Sequence, residues 1–217
     1  MIVEDHAVVR QGLCAILSKD SRFKVAGQAK NGREAVQLVR TLHPDVVLMD
    51  IGMTSLNGLE ATRQILADNP AAKVLVLSAH SGRDHVERMI AAGVAGYIDK
   101  ESSTEILTQA ICEVAQGQKF FSTIIARHLH NNSNPQRDED GLKKANHVAL
   151  TIREAEVLQL VAEGATSKHI AADLGISLKA VEKHRENLMD KLKIHDIAGL
   201  TRYAIATGVI EAKVRLN

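Results

Sequence analysis

The stretch Val46-Val47-Leu48-Met49-Asp50 decides the fold: four apolar residues, the first two β-branched, end on a carboxylate. A short apolar run without polar alternation suits a strand covered on both faces. Working outward, similar runs recur at Ile2-Val3, Lys24-Val25-Ala26, Val74-Leu75-Val76-Leu77 and Tyr97-Ile98. Between them apolar residues fall three and four apart, as in Val9, Leu13, Ile16 and Leu17, in Val86, Met89 and Ile90, and in Leu107, Ile111 and Val114. That spacing is helical. Five strands alternating with five helices predict a flavodoxin-like α/β domain with a five-stranded parallel sheet, order 2-1-3-4-5. Such sheets place their ligand sites at the C-terminal ends of the strands.

Composition narrows the functional classes. With 45% hydrophobic and 24% charged residues over 217 positions, the chain is ordinary for one or two globular domains. No stretch approaches the ~18 apolar residues of a membrane span, and the N-terminus lacks the basic and apolar regions of a signal peptide. No membrane partner is expected, and a cytoplasmic location is. Cys14 and Cys112 lie on apolar helical faces, as buried free thiols in a reducing compartment would. The net charge of +1 gives no support for nucleic acid, so that case must rest on local placement. Aromatic residues are 2% with no Trp, which argues against base stacking.

The chemistry-bearing residues of the first domain all fall at strand ends. Glu4 and Asp5 close the first strand, Asp50 the third and Ser78 the fourth, and Lys100 follows the fifth. Each alone is ambiguous: Asp50 could be a helix cap or turn former, Glu4-Asp5 a solvated loop, Lys100 a surface lysine. Together they predict three convergent carboxylates, costly unless a cation fills the site. Carboxylates with the Gly52 carbonyl and water would make a hard oxygen site for Mg²⁺. Asp50 would then be a nucleophile toward a phosphoryl group, with Lys100 offsetting charge on the transferred oxygens.

These pieces resemble the receiver domain of two-component response regulators over residues 1–117. The matching segments are Val3-Glu4-Asp5-His6, Leu48-Met49-Asp50-Ile51, Asn57-Gly58-Leu59-Glu60, Val76-Leu77-Ser78-Ala79 and Gly96-Tyr97-Ile98-Asp99-Lys100. The resemblance implies that Asp50 takes a phosphoryl group from a sensor histidine kinase or a small phosphodonor, with Glu4 and Asp5 holding Mg²⁺. It also implies a switch in which the Ser78 hydroxyl bonds the acyl phosphate and the Tyr97 ring turns inward. Three departures stand out. Thr54 replaces a usual proline, and Glu4 a commoner aspartate. Only Met1, Ile2 and Val3 precede the acidic pair, which suggests a downstream start or a truncation and predicts weakened pairing of the first strand.

Residues 118–147 are expected to form a linker, with a short helix over Thr123 to His130 and a polar remainder around Asn131-Asn132-Ser133-Asn134-Pro135. His128, His130 and His147 are discounted as a metal site. Residues 148–212 predict an all-α domain with helices at about 152–163, 167–174, 178–192 and 197–207, opened by the capping box Thr151-x-x-Glu154 and with Ser177 capping the third. A short helix, the turn Gly175-Ile176-Ser177 and a longer helix have helix-turn-helix proportions. Val181, Leu188 and Leu192 would face the core. Glu182, Lys183 and Glu186 are placed to meet base edges; Lys168, Lys179, His184, Arg185 and Lys191 are assigned to phosphates. A protein-docking module fits the same pattern. The segments Leu150-Thr151-x-Arg153-Glu154, Ile170-Ala171-x-x-Leu174-x-Ile176-Ser177, Val181-Glu182-Lys183-His184-Arg185 and Lys191-Leu192 resemble the LuxR-type helix-turn-helix, with Ala180 where threonine is common.

Receiver plus this domain is similar to the NarL/FixJ class of regulators. The resemblance implies a homodimer, paired through the helix at about 197–207, on double-stranded promoter half-sites. Phosphorylation would act through the face formed by the fourth helix, fifth strand and fifth helix. No enzymatic role is expected beyond the receiver's own phosphoryl transfer and dephosphorylation. A dehalogenase-like phosphatase would need an acid where Gly52 stands. A regulator that binds DNA without phosphorylation is the other reading.

Overall fold

The computed structural model describes residues 1–79, 83–122 and 150–210, with backbone alone at 83–85. The chain forms two compact units, 1–127 and 128–217. The expected helix over Thr123 to His130, the polar linker and the three linker histidines lie outside the described residues.

The first unit alternates strands with helices throughout. Its strands are β1 (Ile2–Val3), β2 (Gln28–Ala29), β3 (Val47–Asp50), β4 (Val74–Ser78), β5 (Gly96–Asp99) and β6 (Phe120–Phe121). The helices are α1 (Ala7–Ser18), α2 (Gly32–Leu42), α3 (Gly58–Asp68), α4 (Arg83–Ala91) and α5 (Thr104–Ala115). All pairings are parallel, in the order β2-β1-β3-β4-β5-β6. The sheet is doubly wound as expected, with a sixth strand added at the edge. Successive strand residues point to opposite faces, and the two layers divide accordingly. Val3, Val47, Met49, Val74, Val76 and Tyr97 pack on one side with α2, α3 and α4; Ile2, Leu48, Leu75, Leu77 and Ile98 pack on the other with α1 and α5.

Three sequence expectations change. The second strand is Gln28–Ala29 rather than Lys24-Val25-Ala26, because Ile2 pairs opposite Gln28 and its N–H bonds Gly27 O at 3.0 Å. Phe23 and Val25 instead pack against the α1/α5 layer. The sheet also runs past residue 117: Phe120 packs on the α1/α5 face and Phe121 on the opposite one, so two aromatics anchor β6 to both layers. The first strand, finally, is two residues long but paired on both sides, against β2 and β3, and both residues are buried. The expected weakness of that strand is not seen.

The second unit is all helical: α6 (Ile152–Ala162), α7 (Ser167–Leu174), α8 (Leu178–Leu192) and α9 (Ile197–Ala206). Thr151 and Glu154 form the predicted capping box on α6, and Ser177 accepts the Ala180 N–H at the start of α8. Gly175 closes α7 at φ 62°, a left-handed conformation that glycine adopts without strain, and so turns the chain into α8. Val157, Leu158, Ile170, Leu174, Val181, Leu188 and Leu200 make one core. Among the described residues, no helix is long and apolar enough to cross a membrane.

Candidate functional site

The sheet brings three separate strand ends to one place. β1 and β3 are hydrogen-bonded neighbours, which sets Glu4 and Asp5 beside Asp50. The loop from β5 supplies Lys100, tied to β4 by a 2.8 Å bond from its N–H to Ser78 O. The Lys100 ammonium lies 2.7 Å from Glu4 Oε2 and 2.9 Å from Asp50 Oδ2. Glu4 is 1% exposed and Asp50 5%, so two carboxylates share one counter-charge in a largely dry pocket.

Electrostatics separate the two acids. Burial raises the Asp50 pKa and the nearby Glu4 charge adds to this; Lys100 and the Gly52 N–H, which donates to the carboxylate, oppose it without winning. Glu4 is also pushed up by burial, but its bond to Lys100 and the His6 N–H hold it below the ordinary range. Burial pulls Lys100 down, yet its two anionic partners leave it raised. The pocket therefore keeps its lysine charged and makes Asp50 the acid least content as an anion.

The loop after Asp50 is locked by a close approach. A Cβ on Gly58 would lie 2.0 Å from Asp50 O, so only glycine lets the start of α3 sit against the end of β3. Where the expected proline is missing, the Leu56 N–H returns to Thr54 O at 2.8 Å across Ser55, whose φ of 67° is left-handed. Asn57 caps α3 by accepting the Glu60 N–H.

Ser78 and Tyr97 end up as partners. Tyr97 is fully buried and hydrogen-bonded to Ser78, and burial pushes its hydroxyl up to about 12. The ring expected to turn inward already points inward.

Two residues near the pocket had no assigned role in the sequence. His6 directs Nδ1 at Asp5 Oδ1 (2.8 Å) and Glu4 Oε1 (3.1 Å), and Arg10 Nη1 donates to Glu4 O at 2.7 Å. Glu4, Asp5, His6 and Asp50 each offer a ligand atom within 4.8 Å of the others. The donor set fits a divalent cation: three convergent carboxylates, one of them with an oxygen buried and lacking a hydrogen-bond partner.

On α8 of the second unit, Lys179, Glu182, Lys183 and Glu186 are exposed, as is Lys168 on α7. His184 and Arg185 are half-buried, and Arg185 Nη1 donates to Ser167 Oγ at 2.8 Å, tying α8 to the start of α7. Lys183 pairs with Glu186 at 2.7 Å on the open helix surface. Lys191, assigned to phosphate from sequence, instead holds the buried Glu154 of the capping box at 2.7 Å. Along α9, Ile197 and Ile205 remain exposed on one stripe. Both cysteines are free and half-buried rather than fully buried.

Comparison with known proteins gives matches over both units. Residues 1–112 match the family model of the response regulator receiver domain, and residues 148–204 that of bacterial regulatory proteins, luxR family. The transcriptional regulatory protein DegU of Brevibacillus brevis is 34% identical over 225 residues, covering 98% of this chain and 95% of that protein. LiaR of Bacillus subtilis is 34% identical over 209 residues, covering 94% and 95%. Among solved structures, a LuxR-family two-component response regulator from Aurantimonas aligns with TM-score 0.59 at 32% identity, over 61% of this chain and 95% of that one. A complex of the response regulator RcsB with DNA aligns with TM-score 0.56 at 22% identity, over 93% and 95%, a likeness of fold.

Proposed function

Since the chain belongs to the two-component response regulators, pairing a receiver domain with a LuxR-type DNA-binding domain, we propose that Asp50 is its phosphoacceptor and that phosphorylation there sets the DNA-binding activity of α8. The observation that carries this reading is the buried Asp50 carboxylate held against the Lys100 ammonium at 2.9 Å. An Asp50 oxygen attacks the phosphorus of a phosphohistidine or acyl phosphate donor. A P–O bond to Asp50 forms, and the donor's P–N or P–O bond breaks with its electrons leaving on the donor. A divalent cation, Mg²⁺ by the hardness of the oxygen donors, would be held by Glu4, Asp5, Asp50 and the Gly52 carbonyl, and would neutralise charge on the transferred oxygens. Lys100 moves with the charge it neutralises, from the free carboxylate to a phosphoryl oxygen. Ser78 exchanges its bond to Tyr97 for one to the phosphoryl group, which couples the pocket to β5 and α4.

Nearly complete switching takes about 5.5 kcal/mol of differential stabilisation, and a few charge-assisted hydrogen bonds at about 1.5–3 kcal/mol each reach that sum. On DNA, Glu182, Lys183 and Glu186 meet base edges, while Lys168, Lys179, His184 and Arg185 contact phosphates. Lys191 serves α6 first. The stripe of Ile197 and Ile205 is the contact of a homodimer on two half-sites. The two free thiols support a reading in which the chain works in a reducing cytoplasm.

The decisive experiment is labelling of the full chain with acetyl phosphate and Mg²⁺ beside Asp50→Asn, with DNA binding measured before and after. Wild type should label and gain affinity; the variant should do neither. A second reading is favoured by Tyr97, already buried on Ser78: a regulator that binds DNA without phosphorylation. Equal DNA affinity of unlabelled wild type, labelled wild type and Asp50→Asn would establish it.

A further inference from the structure

Several charged groups on the open side of α8 are already committed. Lys183 Nζ meets Glu186 Oε2 at 2.7 Å, and that bond holds the Glu186 carboxyl below its ordinary range. Arg185 Nη1 donates to Ser167 Oγ at 2.8 Å. Glu182 stands among these groups, in an open groove that Ser167, Arg185, Glu186 and Met189 also line. Its side chain is nonetheless exposed and makes no hydrogen bond or ion pair among the described residues. Packing gives it no task either, since Val181 and Leu188 carry α8 onto the core.

On a helix that enters DNA, a lone carboxylate opposes binding unless the duplex offers it a donor, because the phosphates surround it with like charge. A carboxylate only accepts hydrogen bonds. In the major groove the base donors are the N4 amino group of cytosine and the N6 amino group of adenine; guanine and thymine present acceptors. The two amino groups differ in their neighbours. Adenine N6 sits beside the acceptor N7, so a carboxylate that reaches N6 brings its second oxygen against a lone pair, and the amide of Asn or Gln fits that edge instead. Cytosine N4 sits beside the C5–H of its own ring, which repels no oxygen. Cytosine is therefore the base that suits Glu182.

Resting on the proposed placement of α8 in the major groove, we infer that Glu182 is a specificity-determining residue that reads the N4 amino group of a cytosine in each half-site. The same side chain discriminates in a second way. Over any other base it stays unpaired near the phosphates, so it lowers affinity for random DNA while raising it for the operator. Lys183, one residue on, carries the opposite preference, since an ammonium donor suits guanine O6 and N7.

The test is selection from a random-sequence duplex library by the full chain, Glu182→Ala and Glu182→Gln in parallel, followed by titration of single duplexes. Wild type should return a motif with a cytosine column in each half-site, favoured about tenfold over the other bases. Glu182→Ala should lose that column alone and bind random duplex more tightly. Glu182→Gln should admit adenine there, whose N6 and N7 match the amide. Exchanging the cytosine for 2-pyrimidinone, which lacks only the amino group, should weaken wild type about tenfold more than it weakens Glu182→Ala. A motif whose every column survives Glu182→Ala, a lost column that is not cytosine, or a Glu182→Gln motif identical to wild type overturns the inference and leaves the DNA-binding regulator standing. If wild type selects no motif at all, with Asp50 labelled or unlabelled, that reading falls with it.

Discussion

Removing the Lys100 ammonium isolates the energetics of the pocket, and Lys100→Met does so while keeping side-chain length. The ammonium is 2.7 Å from Glu4 Oε2 and 2.9 Å from Asp50 Oδ2, on carboxylates 1% and 6% exposed on the side-chain measure. Breaking a buried pair by deleting one partner costs about 3–5 kcal/mol, because a charge is left uncompensated. Here Lys100 is 20% exposed, so water reaches the gap and the low end, about 3 kcal/mol, applies. A receiver of roughly 120 residues unfolds with an entropy near 0.25 kcal/mol/K, which converts that loss to a Tm drop of about 12 °C. Differential scanning calorimetry of the full chain with chelator, at neutral pH, reads it directly.

Two further arms test the cause of that drop. A divalent ion present at about 100 times its Kd returns about 2.7 kcal/mol, and the variant binds it more tightly because no ammonium competes. The deficit should therefore shrink with Mg²⁺. It should shrink also on adding Asp50→Asn, which removes one of the two stranded charges, and on lowering the pH, since both stranded carboxylates then have raised pKa values and take up protons. In wild type the sign differs for Glu4. Its pKa is lowered in the folded state, so its contribution is present above the unfolded pKa and fades as pH falls through the folded one. A variant within about 3 °C of wild type in chelator, or a deficit unchanged by Mg²⁺, would refute the reasoning.

Gly58→Ala should abolish Asp50 labelling and destabilise the receiver by about 3 kcal/mol or more, because the new methyl meets Asp50 O at 2.0 Å; Gly12→Ala, with nothing within 4 Å, should instead stabilise α1 by up to about 1 kcal/mol, and thermal unfolding compares them. Lys191→Ala should cost the DNA-binding domain about 1–2 kcal/mol by leaving the buried Glu154 carboxylate without its counter-charge and with Thr151 as its remaining hydrogen-bond partner, while Lys191→Gln recovers part of this; denaturant melts measure both. Lys183→Ala should leave stability unchanged, since its pair with Glu186 is exposed, and should narrow the affinity ratio between specific and random DNA in titrations. Of the two tyrosines, Tyr97 should ionise near 12 in an absorbance titration, and Ser78→Ala should move it higher by deleting the bond that favours the phenolate.

What the sequence determined by itself was the periodic part of the molecule. Apolar runs closed by Asp50, Ser78 and Lys100 fixed a parallel sheet with its chemistry at one edge, because a strand's direction and the hand of its crossovers leave little choice of where its end points. The capping box at Thr151, the turn at Gly175 and the core stripe of Val181 and Leu188 were equally legible, being local in the chain. Only the tertiary structure decided the pairwise matters. It placed β2 at Gln28 by the register with Ile2, and found β6 in two phenylalanines too short a run to announce a strand. It gave Lys191 to Glu154 across 37 residues and turned His6 away from its helix cap into the acids. Periodicity is carried by each element alone, whereas register, ion pairing and the aim of an imidazole depend on which groups the fold brings within about 3 Å, a contact set that sequence spacing does not encode.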